Sequence, residues 1–283
     1  LLVVSIIAMI TTYIVNDSIR EFIDTKVLKK EISDDSVKNI YTNSSIIQTM
    51  ALGKNIITLS SGELKVYDFE GNNKNTIKMK IGNPIYDIED RYMGIADKNV
   101  TKIYLIDDDK LAWEKTLDVT VEKIKVNKNG YMVVVTKDSV YKSVVSLYSN
   151  KGELLFKSYV SNGYVIDTEI SPDNNYLVIG EVDYSKTFTE STVKVIDVKK
   201  AIKAEEGSLI NTFVKDKLLV NLKIKENSNI LAQYSDSIVN IGYTDKNNKE
   251  IYTLPKDNIK KSLLRNKDTK IPTRVFTTLV GFH

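Results

Sequence analysis

Three segments of the chain share one plan: "IYDIEDRYMGIA" (Ile85 to Ala96), "VEKIKVNKNGYMVVV" (Val121 to Val135) and "IDTEISPDNNYLVIG" (Ile166 to Gly180). Each is a strand-like run, a short polar turn, and a tyrosine opening a second strand. The tyrosines are Tyr92, Tyr131 and Tyr176, spaced by 39 and then 45 residues. Weaker copies are "IIQTMALGKNIITLS" (Ile46 to Ser60) upstream and "LLVNLKIKENSNILAQY" (Leu218 to Tyr234) downstream. A repeat constrains the fold more than any single segment, because one small unit cannot bury its apolar faces alone.

A third strand follows each pair: "ELKVYDFEGN", "TKIYLIDDDK", "SVVSLYSNKGE", "STVKVIDVKK" and "SIVNIGYTDKNN". Each runs into a polar turn and then a fourth strand: "NTIKMK", "LAWEKTL", "ELLFKSYV", "SLINTFV" and "KEIYTL". Inside the strands the period is two. Leu64 and Val66 alternate with Lys65 and Tyr67, and Ile124 and Val126 with Lys123 and Lys125. Alternation puts one set on each face of a pleated strand. Met132 to Val135 is apolar throughout, as expected of a strand covered on both faces. Four strands in about 40 to 50 residues is the period of a β-propeller blade. A β-sandwich would explain the strands, but not the regular order of turn, tyrosine, third strand and Asp/Gly/Lys turn.

The predicted fold class is therefore all-β: a β-propeller of four-stranded blades, five of them recognisable within residues 44–257. Residues 258–283 are expected to be a partial further blade or a ring-closing strand, since Arg274 to Phe282 again resembles a strand. The fourth unit carries two insertions. "DYSKTFTES" (Asp183 to Ser191) lengthens a hairpin, and "VKKAIKAEEGS" (Val198 to Ser208) reads as a short helix with Gly207 near its end. Insertions map to loops, often on one rim of such a ring.

The opening "LLVVSIIAMITTYIV" carries no charge from Leu1 to Val15. As a helix it spans about 22 Å, against a hydrocarbon core of about 30 Å. The chain starts at Leu1 rather than at methionine, and we expect upstream residues to complete the span. A cleaved signal peptide would show small residues in an A-x-A pattern, and only Ala8 lies in the run. A lipoprotein signal needs cysteine, and the chain has none. The expectation is one N-terminal transmembrane helix, continued as a juxtamembrane helix through Ile19, Phe22, Ile23 and Val27, over residues 1–30. A linker over 31–43 contains Ser33-Asp34-Asp35-Ser36. The body is expected outside the cytoplasm.

A resemblance can be placed on these residues. Ser171-Pro172-Asp173 before a Tyr-led strand resembles the turn of WD-repeat-like and TolB-like propellers. "YDFEGN", "LIDDDKLAWE" and "LYSNKGELLF" resemble the strand-turn-strand of quinoprotein-like blades. The tryptophan recurrent in such blades occurs once, as Trp113, and Phe156 fills the comparable slot in the next copy. The whole resembles an uncharacterised family of unknown function: membrane-anchored β-propeller proteins of low-GC Gram-positive, clostridia-like bacteria. That resemblance implies architecture and almost nothing about activity.

Composition narrows the chemistry. The chain is 42% apolar and 27% charged, as a folded protein is. Its net charge of +3 gives no reason to expect nucleic acid as a partner, and its charges lie singly along strands, as on a solvated face. Without cysteine, and with His283 as the sole histidine, neither a Ser-His-Asp arrangement nor a thiolate or histidine metal site is expected. Asp107-Asp108-Asp109 is the tempting acidic cluster, but calcium loops alternate their acids and place a glycine at the bend, so it reads as an exposed hairpin. No phosphate-binding glycine loop is present. No catalytic, cofactor-binding or metal residue is assigned, and no cofactor is expected.

The reading that follows is a non-enzymatic, membrane-anchored, extracytoplasmic scaffold that binds a protein or a cell-envelope component. The alternative is an enzyme or cofactor-binding protein using the central channel of a quinoprotein-like propeller. That alternative requires polar side chains converging from the first strands of several blades, where the candidates are Asp87, Glu89, Glu122, Asp167 and Glu169.

Overall fold

A computed structural model describes residues 46–253 apart from 99, 186–188, 226–228 and 244–248, together with 11–13, 19 and 23. The expected anchor over 1–30, linker over 31–43 and further blade over 258–283 otherwise lie outside the described residues. Among the described residues no helix is long and apolar enough to cross a membrane.

The period-two runs form twenty strands in five antiparallel sheets of four, each sheet in strict chain order. Sheet one holds β1 (Ile46–Leu52), β2 (Asn55–Ser60), β3 (Glu63–Tyr67) and β4 (Asn73–Lys78). Sheet two holds β5 (Pro84–Glu89), β6 (Tyr92–Asp97), β7 (Val100–Asp107) and β8 (Lys110–Thr116). Sheet three holds β9 (Val121–Val126), β10 (Met132–Thr136), β11 (Ser143–Tyr148) and β12 (Leu154–Val160). Sheet four holds β13 (Tyr164–Ile170), β14 (Tyr176–Asp183), β15 (Glu190–Asp197) and β16 (Leu209–Lys215). Sheet five holds β17 (Leu219–Lys225), β18 (Asn229–Tyr234), β19 (Ser237–Gly242) and β20 (Lys249–Thr253).

Each apolar core lies between two successive sheets. Met93 and Ile95 of β6 pack with Leu59 and Val66 of sheet one. Their neighbour Ala96 turns the other way, to Ile124 and Met132 of sheet three. On β10, Met132 and Val134 face sheet two, while Val133 and Val135 face Leu177 and Ile179 of sheet four. Val178 and Val182 of β14 then join Leu222 and Ile230 of sheet five. A second strand is thus apolar throughout because both of its faces are covered. The first strands β5, β9, β13 and β17 touch in succession. Among the described residues no such core joins sheet five to sheet one, so the five sheets follow the propeller plan without a closed ring being observed.

The recurrent tyrosine is an intersheet contact. The ring of Tyr92 lies over Gly130 in the β9–β10 turn, where a Cβ would come within 2.7 Å of it. Gly130 has φ +77°, a conformation that costs glycine little. Tyr131 packs into the core between sheets three and four. Tyr176 meets Tyr243, beyond β19, with ring centroids 4.5 Å apart. The turns are also joined by polar bonds: Asn129 Nδ2 donates to Pro172 O at 2.7 Å, and Asn127 Nδ2 to Asn174 Oδ1 at 2.6 Å.

Trp113 and Phe156 occupy equivalent positions, opposite Leu105 and Leu147 on the third strands. In sheet four, Asp197 caps a short helix, α1 (Val198–Ile202), by accepting from Lys200 N–H at 3.0 Å. The helix ends earlier than expected. The left-handed residue beyond it is Ala204, with φ 53°, and Gly207 belongs to the following turn.

Candidate functional site

Side chains two apart on a strand share a face, so Asp87 and Glu89 of β5 form one acidic pair and Asp167 and Glu169 of β13 another. The first strands bring both pairs against two lysines, Lys125 of β9 and Lys223 of β17. Lys125 Nζ lies 3.8 Å from Asp87 Oδ1, 3.9 Å from Asp167 Oδ1 and 3.5 Å from Glu169 Oε1. Lys223 Nζ lies 3.7 Å from Glu89 Oε2 and 3.9 Å from Glu169 Oε1. Charge sign therefore alternates along the inner edge from sheet two to sheet five.

The aspartates also join sheets through the backbone. Asp87 Oδ2 accepts from Val126 N–H of the next sheet, and Asp167 Oδ2 from Leu222 N–H, both at 2.9 Å. Each aspartate sits opposite a glycine on the second strand, Gly94 for Asp87 and Gly180 for Asp167. A Cβ at Gly94 would lie 2.8 Å from Met132 Sδ, and one at Gly180 would lie 2.4 Å from Leu219 Cδ2. The missing side chain lets the next sheet approach closely enough for its first strand to reach the carboxylate. Sheets three and five have Val133 and Leu231 opposite their lysines instead.

Burial sets the protonation of the cluster. It pushes the Glu169 carboxyl up to about 7, against the pull of Lys125 and Lys223. It also raises Asp87, although Lys125 and the Val126 N–H oppose it. Burial would lower Lys125, but the carboxylates of Asp167, Glu169 and Asp87 outweigh it and hold the ammonium well above its ordinary range. An amine held protonated in this way is no nucleophile or base. Glu169 Oε1 is enclosed and makes no hydrogen bond, so its pairing with the two ammonium groups is coulombic.

Four of the five sequence candidates, Asp87, Glu89, Asp167 and Glu169, thus come together. Glu122 does not: it pairs with Lys137, just past β10, at 3.2 Å. Lys125 corrects the sequence reading of its strand. It is not on a solvated face, and its side chain keeps 29% of its area exposed inside the cluster. Neither lysine stands out in the sequence, because a single lysine in an alternating strand reads as solvent-facing. The signal available was a lysine flanked by branched apolar residues in two first strands, "IKV" and "LKI".

Beside the cluster is a cavity of about 130 Å³ lined by Glu89, Asn127, Glu169, Pro172 and Lys223. Small-molecule sites usually run from about 300 to 1,000 Å³. Among the described residues no group of acidic side chains is arranged to hold a metal ion. The acids of Asp107-Asp108-Asp109 go separate ways: Asp107 to Arg91, Asp108 to Asn55 of sheet one, and Asp109 to Lys74 at 3.9 Å. Asp108 and Asp109 fasten sheet two to sheet one, while the Asp107 pair stays within sheet two.

The sequence matches a family of unknown function, DUF5711, over residues 27–275. No curated protein matches it. Among solved structures the chain is similar to the hydrazine synthase of Kuenenia stuttgartiensis, at 14% identity and a TM-score of 0.53, covering 82% of this chain and 71% of that one. It is similar to a chain of a mitotic checkpoint complex at 12% identity and a TM-score of 0.52, covering 75% and 65%. It is similar to the Pan2 WD40 domain of Neurospora crassa at 14% identity and a TM-score of 0.50, covering 75% and 66%. The chain therefore spans just under two thirds of the last two. At such identities these likenesses show the fold alone, a propeller-like one.

Proposed function

We propose that this chain, which belongs to the DUF5711 family, is a non-enzymatic propeller-like scaffold. Its apolar N-terminal segment tethers it to the cell membrane, its sheets lie outside the cytoplasm, and its surface binds a protein or a cell-envelope component. One observation carries this reading: the inner-edge charges are spent on one another and on the backbone of neighbouring sheets. A site for chemistry needs groups left over for a substrate, and the adjoining cavity of about 130 Å³ is small for one. The surface offers apolar groups instead. Phe69, Leu111, Leu154, Leu209 and Ile251 are exposed near the start of the fourth strand, or just before it, in successive sheets.

A second reading has its own support. A carboxyl raised to about 7, as in Glu169, is poised for general acid–base work. This reading would place a substrate or cofactor at the inner edge. Photo-crosslinking in intact cells separates the two, with the photoreactive residue at Leu209 or Phe69 on the surface, or at Glu89 on the inner edge. The scaffold reading expects discrete adducts with another macromolecule from a surface position and none from Glu89. Adducts from Glu89 alone would overturn it.

A further inference from the structure

At the other end of sheet four the inserted hairpin helps build a larger cavity. It encloses about 320 Å³, within the range of about 300 to 1,000 Å³ that small-molecule sites occupy. Its lining includes Tyr159, Asn162, Glu181, Asp183, Glu190 and Lys194. These come from the end of β12, the β12–β13 connection, and the facing ends of β14 and β15. Asp183 and Glu190 lie at the two ends of the insertion noted in the sequence, Asp183 to Ser191.

Two features of the walls point to a ligand class. The first is aromatic surface. Tyr159 lines the cavity and is 51% exposed; Tyr184 lies outside the lining, directly after the lining residue Asp183, and is 55% exposed. Each packs against a second tyrosine: Tyr159 against Tyr141 at a centroid separation of 4.7 Å, and Tyr184 against Tyr164 at 6.4 Å. Such exposed tyrosines present flat apolar faces with a polar tip, at little cost in side-chain entropy on binding. The second is a polar floor whose deepest carboxylate is already paired with a lysine. The Glu181 side chain is only 10% exposed, and both its oxygens accept from Lys194 Nζ, at 2.7 and 2.9 Å. A carboxylate has roughly four acceptor sites, so each of these oxygens keeps acceptor capacity.

A ligand for this cavity should therefore bring hydroxyl groups and apolar C–H faces rather than negative charge. We propose that the cavity between sheets three and four is a binding site for a neutral saccharide, with Tyr159 and Tyr184 stacking on sugar faces. Glu181 and Asn162 accept from its hydroxyls, and the Asn162 amide also donates to them. The site is separate from the inner edge and does not depend on how that edge is used.

The test is calorimetric titration of the full chain, held in a detergent without a sugar headgroup, with chitotetraose, cellotetraose and maltotetraose. At least one is expected to bind. Tyr159→Ala and Tyr184→Ala should each weaken binding by about tenfold, as loss of an aromatic anchor does. Val119→Ala, at an exposed position outside the cavity, should leave it unchanged. Circular dichroism of each variant separates lost binding from lost folding, and Glu181→Gln gives a milder second probe of the floor. Failure of all three sugars to bind at millimolar concentration would overturn the proposal. So would binding that survives both tyrosine changes together, or tight binding of an oligolysine peptide in their place.

Discussion

Glu169 sits where two tendencies meet. Its enclosure disfavours charge, while Lys125 and Lys223 favour it, and burial prevails. Folding therefore depends on its proton. Below the ordinary carboxyl value of 4.5 the group is protonated in both folded and unfolded chains, and above about 7 it is ionised in both. Between these values the folded chain keeps a proton that the unfolded chain releases, so stability falls as pH rises, by about 3 kcal/mol in all. Glu169→Gln removes this dependence. The melting temperature of the variant relative to the parent should climb between pH 4.5 and 7.5, and a flat difference would show that Glu169 ionises freely in the fold. The acids of this cluster were legible as a pattern, because Asp87 with Glu89 and Asp167 with Glu169 repeat the spacing D-x-E. Their lysines were not. A lysine in alternation with Ile124 and Val126 looks like a solvated residue until four first strands are known to converge.

The element that decides how sheets stack is the second strand. Its run of apolar residues was legible, since only a strand covered on both faces reads this way. Its glycines were not, because their reason lies in the next sheet. Gly94 and Gly180 admit Met132 and Leu219, and so let each aspartate opposite bond to the backbone beyond. Gly180→Val would crowd Leu219 and Leu222 and separate β13 from β17. We expect a loss of about 1–3 kcal/mol in chemical denaturation, as overpacking causes. Gly62→Val, where an added side chain meets nothing within 4 Å, should cost much less. Equal losses would show that the close approach is not what Gly180 provides. The recurrent tyrosine belongs at this scale too. Its position was plain in the sequence, but its partner is a turn or ring of the neighbouring sheet, and spacing along one chain carries no record of that.

At the scale of the molecule the repeat was the most readable feature, and all five units appear as four-stranded sheets in the expected order. A period of strands is written into local alternation, whereas closure of a ring depends on the fit between its first and last units. The function proposed here joins this body to an apolar N-terminal segment whose residues predict a membrane anchor. That arrangement is tested most directly by where the sheets face. Val140, in the loop between β10 and β11, is 78% exposed and so marks a place where a short recognition sequence for a site-specific protease can be inserted. The protease is then added to intact cells and, in parallel, to lysed cells. The account predicts cleavage in intact cells, with the sheets outside the membrane. Protection until lysis would contradict it and place the scaffold, with any partner, in the cytoplasm.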